Sequence, residues 1–472
     1  MADRDRTLVA GVDSSTQSTK VVVCDAATGE VVRTDRAPHP EGTQVHPERW
    51  WDAYLSATGD NLLEGVSAIA VGGQQHGMCA LDESGAVVRD ALLWNDTSSA
   101  QASRDLVGEL GGMAAWVDRT GSVPVPSFTV TKLRWLAEHE PELAARTASV
   151  VLPHDWLTGQ ILKQGNGFER WTTDRGDASG TGYFSPESNA YVPELVELAF
   201  GRPLGTPTVL GPREAAGRTA GGMLVGPGTG DNMGAALGLG LEPGDVVVSL
   251  GTSGAVFADH PSPVKDTSGD VAGFASATGG HLPLMCTLNA ARVLSAAAHL
   301  VGTDLAGLDR LALAAGPGAG GLTLLPYLDG ERTPNLPEAT GTLGGLTRTN
   351  STPENLARAA VEGMLANLAA GVDDLRELGI PVSRVLLIGG ASASRAVRAV
   401  APALFGAPVA VPAPGEYVGI GAARQAAWVL SGEDAPPPWA VRIEETLDPP
   451  SGGSGVEVRE RYAALLAAVH GA

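Results

Sequence analysis

The stretch Leu8-Val9-Ala10-Gly11-Val12-Asp13-Ser14-Ser15-Thr16-Gln17-Ser18-Thr19-Lys20-Val21-Val22-Val23-Cys24 decides the fold, because it sets two apolar, β-branched runs around a polar tip. The runs 8–12 and 20–24 predict paired strands, and 13–19 predicts a hydroxyl-rich turn between them. The pattern recurs far downstream, where Asp245-Val246-Val247-Val248-Ser249-Leu250 meets Gly251-Thr252-Ser253-Gly254 and returns through Ala255-Val256-Phe257. Two like hairpins so far apart predict an internal duplication. Other paired segments keep the same order. Residues 67–73 and 384–390 are apolar strands closed by a glycine pair, and 226–236 and 414–423 are glycine-rich loops that open alanine-rich helices. The boundary between the halves falls near Leu241-Glu242-Pro243-Gly244. The expected division is 1–241, 242–430 and a final 431–472, the last holding the linker-like Asp434-Ala435-Pro436-Pro437-Pro438 and a closing helix over 456–469.

Helical patterns fill the intervals. Thr352 as N-cap and Pro353 at the first helical position open one with Leu356, Ala360, Met364, Leu368, Val372 and Leu375 on a single stripe. Strands alternating with helices make this an α/β protein. The 472 residues carry a formal net charge of −21, which disfavours nucleic acid and anionic membrane as partners. A polyanion bound by such a chain must be held by backbone N–H groups, a metal ion or a few placed cations. The three cysteines are isolated and form no Cys-x-x-Cys pair, so a reducing compartment fits. No apolar run approaches the roughly 18 residues of a membrane span, and the N-terminal residues lack the apolar core of a signal peptide. A cytoplasmic location is expected.

Asp13 heads the first tip, with Thr16 among its hydroxyls and Lys20 at its exit. Such a tip can turn donors toward phosphate, with a carboxylate beside them to hold hydrated Mg²⁺. An Asp that caps its own turn explains the same residue. A second donor loop at Gly251, Thr252 and Ser253 favours the phosphate reading, since two such loops suit a polyphosphate. Asp231, between Gly230 and Asn232, can serve either as a helix N-cap or as a base toward a substrate hydroxyl. Gln74-Gln75-His76-Gly77 and Trp94-Asn95-Asp96 each follow an apolar strand, where open α/β sheets present ligand-binding side chains. Amides, an imidazole, an indole and a carboxylate suit a polyhydroxylated ligand, and a surface loop with a satisfied histidine suits them too. His154-Asp155 and the polar residues 174–177 are expected to lie in surface loops. There is no Gly-x-x-x-x-Gly-Lys-[Ser/Thr] loop and no His-Glu-x-x-His, and Gly251-Thr252-Ser253-Gly254-Ala255 lacks the last glycine of a nucleophile elbow.

Together these segments, with Lys132-Leu133-Arg134-Trp135-Leu136, the run 326–334 and Ile388-Gly389-Gly390, resemble the FGGY carbohydrate kinases of the actin-like ATPase superfamily, and among them the xylulokinases. The resemblance implies two actin-like (ribonuclease H-like) domains flanking a deep catalytic cleft, with sugar held mainly by the first and nucleotide by the second. It implies transfer of phosphate from ATP to D-xylulose, with Asp231 as general base and Asp13 orienting Mg²⁺ through water. Thr16, Lys20, Gly251, Thr252, Ser253, Gly389 and Gly390 would hold the nucleotide. Gln75, His76, Trp94, Asp231 and Asn232 would line the ketose pocket, Gln75 standing where those kinases usually carry Met. Another FGGY kinase acting on ribulose, a deoxyketose or a polyol is the alternative, followed by a non-catalytic sugar-sensing protein. The partners are then a small ketose and ATP, and a homodimer is compatible with the sequence.

Overall fold

In the computed structural model, which describes residues 6–471, the first hairpin runs past its apolar residues. Strands Leu8–Ser14 and Ser18–Asp25 pair antiparallel with Asp13 opposite Lys20 and Ser14 opposite Thr19. The ladder needs only backbone groups, so polar residues continue it and the turn shrinks to 15–17. Val66–Gly73 lies parallel to Leu8–Ser14, with Gly72 beside Asp13 and Gly73 beside Ser14. The short strand Thr229–Gly230 lies parallel on the far side, with Thr229 beside Gly72 and Gly230 beside Gly73. Three carboxyl ends are thereby aligned at one end of the sheet, and Asp13, Gln74 and Asp231 all emerge there. This is where parallel α/β sheets place ligand chemistry.

Strand alternation gives this sheet two apolar faces. Ala10, Val12, Val21, Val23, Ile69 and Val71 pack with Tyr54 from helix Glu48–Ala57 and Leu157 from helix Pro153–Gln164. Val9, Val22, Ala68 and Ala70 pack under Ala422, Ala423, Ala426 and Ala427 of helix Tyr417–Ser431. That helix approaches so closely that a Cβ on Gly11 would lie 1.9 Å from the Gly419 carbonyl oxygen, and one on Gly421 would lie 1.8 Å from that of Gly234.

The compact units therefore differ from the expected contiguous halves. One comprises residues up to 241 together with 260–282 and 415–440; the other comprises 242–259, 283–414 and 441–472. The sequence order 242–430 crosses between them because helix Tyr417–Ser431 has its apolar face on the sheet of the first unit. Nor is 431–472 merely a linker and a helix. Ile443–Leu447 pairs antiparallel with Val409–Pro412 and forms an edge strand of the second unit's sheet. The helix Ser454–His470 is tied down by the buried Tyr462, whose hydroxyl donates to Tyr327 Oη at 2.9 Å.

The second unit repeats the first hairpin's topology. Asp245–Leu250 pairs antiparallel with Gly254–Phe257 and parallel with Arg384–Ile388. Helix Pro353–Glu377 begins as its sequence predicts, with Thr352 Oγ1 accepting from the Asn355 N–H at 3.2 Å. Among the described residues no helix is long and apolar enough to cross a membrane.

Candidate active site

In the first unit the site begins with Asp13, 2 % exposed at the end of its strand. Its Oδ1 accepts from Ser15 Oγ, and its Oδ2 lies 3.6 Å from Lys20 Nζ. Burial raises the Asp13 pKa above the ordinary carboxylate value, against the pull of Lys20. Lys20 also reaches Glu416 Oε2 at 2.7 Å, so it is shared by two carboxylates. Burial works against its charge, but those carboxylates outweigh it and the ammonium pKa is raised. Glu416 lies in the glycine-rich loop 414–423, but its pairing with Lys20 was not legible in the sequence, since the two stand 396 residues apart.

Asp231 is the first residue of helix Asp231–Leu239, and Gly230 takes the N-cap position that Asp231 might have filled. Asp231 Oδ1 accepts from its neighbour Asn232 through the backbone N–H at 2.8 Å and the side-chain Nδ2 at 2.9 Å. The residue keeps some surface open, yet dense protein surrounds its carboxyl. Burial, with the nearby Asp13 charge adding to it, pushes its pKa up to about 7. A carboxylate poised near neutrality and reachable from outside suits general-base work.

Gln74, Gln75 and His76 are all buried beside it. His76 adopts φ +70°, a left-handed conformation uncommon for a non-glycine residue, which turns the chain sharply after the strand. Its ring stacks on Phe128 at 4.7 Å, and its Nδ1–H donates to the Gly180 carbonyl at 2.6 Å. A carbonyl can only accept, so Nδ1 is the donor in this pair and the ring orientation is fixed by it. Gln75 packs on Gly230, where a Cβ would come within 2.8 Å of its Cγ. The Gln74 amide and Gln75 Nε2 are buried without a hydrogen-bond partner in the protein. Such orphans cost about 1–3 kcal/mol each and are usual where a polar ligand completes the set. Trp94 donates from Nε1 to Thr16 Oγ1 at 2.8 Å, joining a residue expected at the nucleotide to one expected at the sugar.

The second unit holds the other predicted residues. Gly251 and Thr252 give their carbonyls to the N–H groups of Ala291 and Ala290, at 2.9 and 3.3 Å, which ties the tip inward from its carbonyl side. Gly389 has φ +87°, and a Cβ there would meet the Leu250 backbone at 2.6 Å, so packing alone demands glycine. Gly390 differs, because a Cβ there would meet nothing within 4 Å.

A further expectation fails. His154, Asp155, Asp174 and Asp177 are not in surface loops; they are 0–3 % exposed and form one buried cluster in the first unit. His154 lies in the first turn of helix Pro153–Gln164 and Asp174 caps another, so tertiary packing, invisible in the local pattern, buries them.

The descriptive models of known families match this chain over residues 8–233, as the N-terminal domain of the FGGY family of carbohydrate kinases, and over 246–430, as its C-terminal domain. The chain belongs to the FGGY family. As an FGGY member it is a carbohydrate kinase, a phosphotransferase that uses ATP. It is 47% identical over 451 residues to a xylulose kinase of Streptomyces coelicolor, spanning 92% of this chain and 90% of that protein. A crystal structure of xylulose kinase from Bifidobacterium adolescentis superposes with a TM-score of 0.89 at 46% identity, covering 98% of this chain and 99% of that one. A Plasmodium falciparum glycerol kinase with ADP, 15% identical over 98% of each chain, has a TM-score of 0.86 and shares the fold alone. The FGGY chain thus has the actin-like ATPase fold, and its two similar hairpins belong to that duplicated architecture.

Proposed function

We propose that this FGGY kinase transfers the γ-phosphoryl group of ATP to the 5-hydroxyl of D-xylulose, giving D-xylulose 5-phosphate and ADP. The observation that carries the mechanism is Asp231, a carboxylate raised to about 7 at a helix start beside the buried Gln75 and His76. Near neutrality it takes the proton from the attacking hydroxyl as the phosphorus–oxygen bond forms. Asn232 fixes the carboxylate through two hydrogen bonds to one oxygen. Gln75, His76 and Trp94 meet the ketose with hydrogen-bonding groups and a flat apolar face. The 47% identity to a xylulose kinase supports xylulose among the ketoses.

Asp13 and Asp231 repel one another, and burial raises both, so the residues present fit a hydrated divalent cation with oxygen ligands. When bound, Mg²⁺ supplies neutralisation of charge on the phosphate oxygens. Asp13 would hold it through water. Thr16 and Lys20 in the first unit, and Gly251, Thr252, Ser253, Gly389 and Gly390 in the second, would contact the nucleotide. Sugar binding is assigned mainly to the N-terminal domain and nucleotide binding to the C-terminal domain, in a cytoplasmic enzyme. An ADP-release assay of the full chain with MgATP over a panel of ketoses and polyols tests the reading. D-xylulose should give the highest kcat/KM; a higher value for ribulose, a deoxyketose or a polyol would replace the substrate, and no ADP with any sugar would overturn the activity.

A further inference from the structure

The imidazole of His154 lies between carboxylates and between two glycines. Its Nδ1 is 2.6 Å from Asp177 Oδ2, while Nε2 is 3.3 Å from Asp155 Oδ1 and 3.8 Å from Asp174 Oδ1. The carboxylates are themselves anchored. Asp155 Oδ2 accepts from the Leu152 N–H at 2.7 Å, and Asp174 accepts from the N–H groups of Gly176 and Asp177 at 2.7 and 3.0 Å. Three carboxyl groups in a dry interior require compensating charge. The 2.6 Å contact leaves no room for a metal ion between Nδ1 and Asp177, whereas an imidazolium can face carboxylates from both ring nitrogens. Burial opposes that charge, but Asp155, Asp177 and Asp174 together outweigh it and push the His154 pKa up to about 10.

His154 packs against both segments that carry the site, with its Cβ and backbone at Gly73 and its ring at Gly228. A Cβ on Gly73 would lie 2.8 Å from His154 Cβ, and one on Gly228 would lie 2.1 Å from His154 Cδ2. Gly73 leads directly into Gln74, Gln75 and His76; Gly228 leads through the Thr229–Gly230 strand into Asp231. We propose that His154 is a positioning residue for the sugar site, held at Nδ1 by Asp177 with Asp155 facing Nε2, that sets the spacing between the 74–76 turn and Asp231. The proposal rests on the reading of those segments as the ketose site. Removing the clamp lets the two segments shift, and displacements of about 1 Å at a reacting centre can cost on the order of 100-fold.

Steady-state kinetics on the full chain separate this role from general stability. His154→Gln, which keeps an amide donor but no charge, should remain folded by circular dichroism, raise the D-xylulose KM at least about tenfold, lower kcat, and leave the ATP KM within about twofold. His154→Lys, which restores the cation, should recover most of the ketose affinity. Where His154→Gln does not fold, Asp177→Asn provides the same split, since Asp155 still holds one side of the ring. A folded His154→Gln with an unchanged ketose KM overturns the proposal, as does a parallel worsening of both KM values. One equivalent of tightly bound metal in the wild type that disappears in His154→Gln would also overturn it, in favour of a metal site. Inactivity of the wild type toward every ketose would instead refute the kinase reading on which the proposal rests.

Discussion

The two hairpins share a topology and divide their chemistry. Each has an antiparallel pair whose first strand also runs parallel to a later strand ending near glycine. The first tip concentrates charge: Asp13 is 2 % exposed, with Lys20 beside it. The second has no charged side chain at 251–254, and its residues 251–253 keep surface open. A buried carboxylate is costly and must be held by partners, whereas small residues with backbone donors cost little to present. One backbone geometry thus occurs twice, and under the proposed function the charged copy acts as an electrostatic device and the uncharged copy as a backbone cradle.

The comparison breaks first at Asp231, which completes the charged copy. Asp231→Ala should lose at least about 100-fold in kcat while retaining ATP and sugar binding, measured by turnover and by titration calorimetry. In the wild type, kcat/KM should fall on the acid side with a midpoint near the Asp231 value of about 7, because the base must be deprotonated, and that limb should vanish in the variant. Stability has the opposite sign. A carboxyl whose folded pKa is raised favours the folded state below the ordinary carboxylate value, and this contribution is lost as pH rises through about 7. Thermal melts of wild type and Asp231→Asn between those limits should converge toward lower pH dependence in the variant.

Next in size, Asp13→Asn should lower kcat about 10–100-fold, in the range of a lost electrostatic contact at a transferring phosphate. Because the Asp13 charge helps raise Asp231, the acid midpoint of the remaining activity should also move down. A midpoint unmoved by this change would separate the two carboxylates that the first hairpin is held to couple.

The uncharged copy should respond through backbone shape. Gly389→Ala places a Cβ against Leu250 at a conformation costing about 1–3 kcal/mol, so its urea unfolding midpoint should drop. Gly390→Ala has free space around its Cβ and should leave stability within about 0.5 kcal/mol, so a raised ATP KM there reports on nucleotide contact. The smallest expected effect is at Thr252→Ala, a rise of about threefold in the ATP KM, near the about 0.5–1.5 kcal/mol of one neutral hydrogen bond. A loss comparable to that of Asp13→Asn would erase the contrast between the tips.

Local pattern carried the hairpins well because β-branched runs and glycine-rich turns act over a few residues. The polar tip was read too wide, since a ladder of backbone hydrogen bonds is indifferent to the side chains of Asp13, Ser14, Thr19 and Lys20. The ends of strands at Gly73 and Gly230 were visible as glycine punctuation, but their alignment beside Asp13 depends on parallel pairing between strands far apart in the chain, Asp13 with Gly72 and Gly72 with Thr229. Glu416 and the His154 cluster carried no signal, because nothing local distinguishes an acid that will meet a distant lysine, or a His-Asp pair that will be buried, from solvated charge.

By itself the sequence determined the repeated hairpins, the α/β class, the candidate donors and carboxylates, and the family they resemble, because these rest on short-range propensity and on residue chemistry. Only the tertiary structure decided that Tyr417–Ser431 seats its glycines on Gly11 and Gly234, that Lys20 is shared between Asp13 and Glu416, and that His154 is enclosed by three carboxylates. The physical reason is that close backbone approach and the desolvation of charge are properties of surfaces brought together from distant parts of the chain.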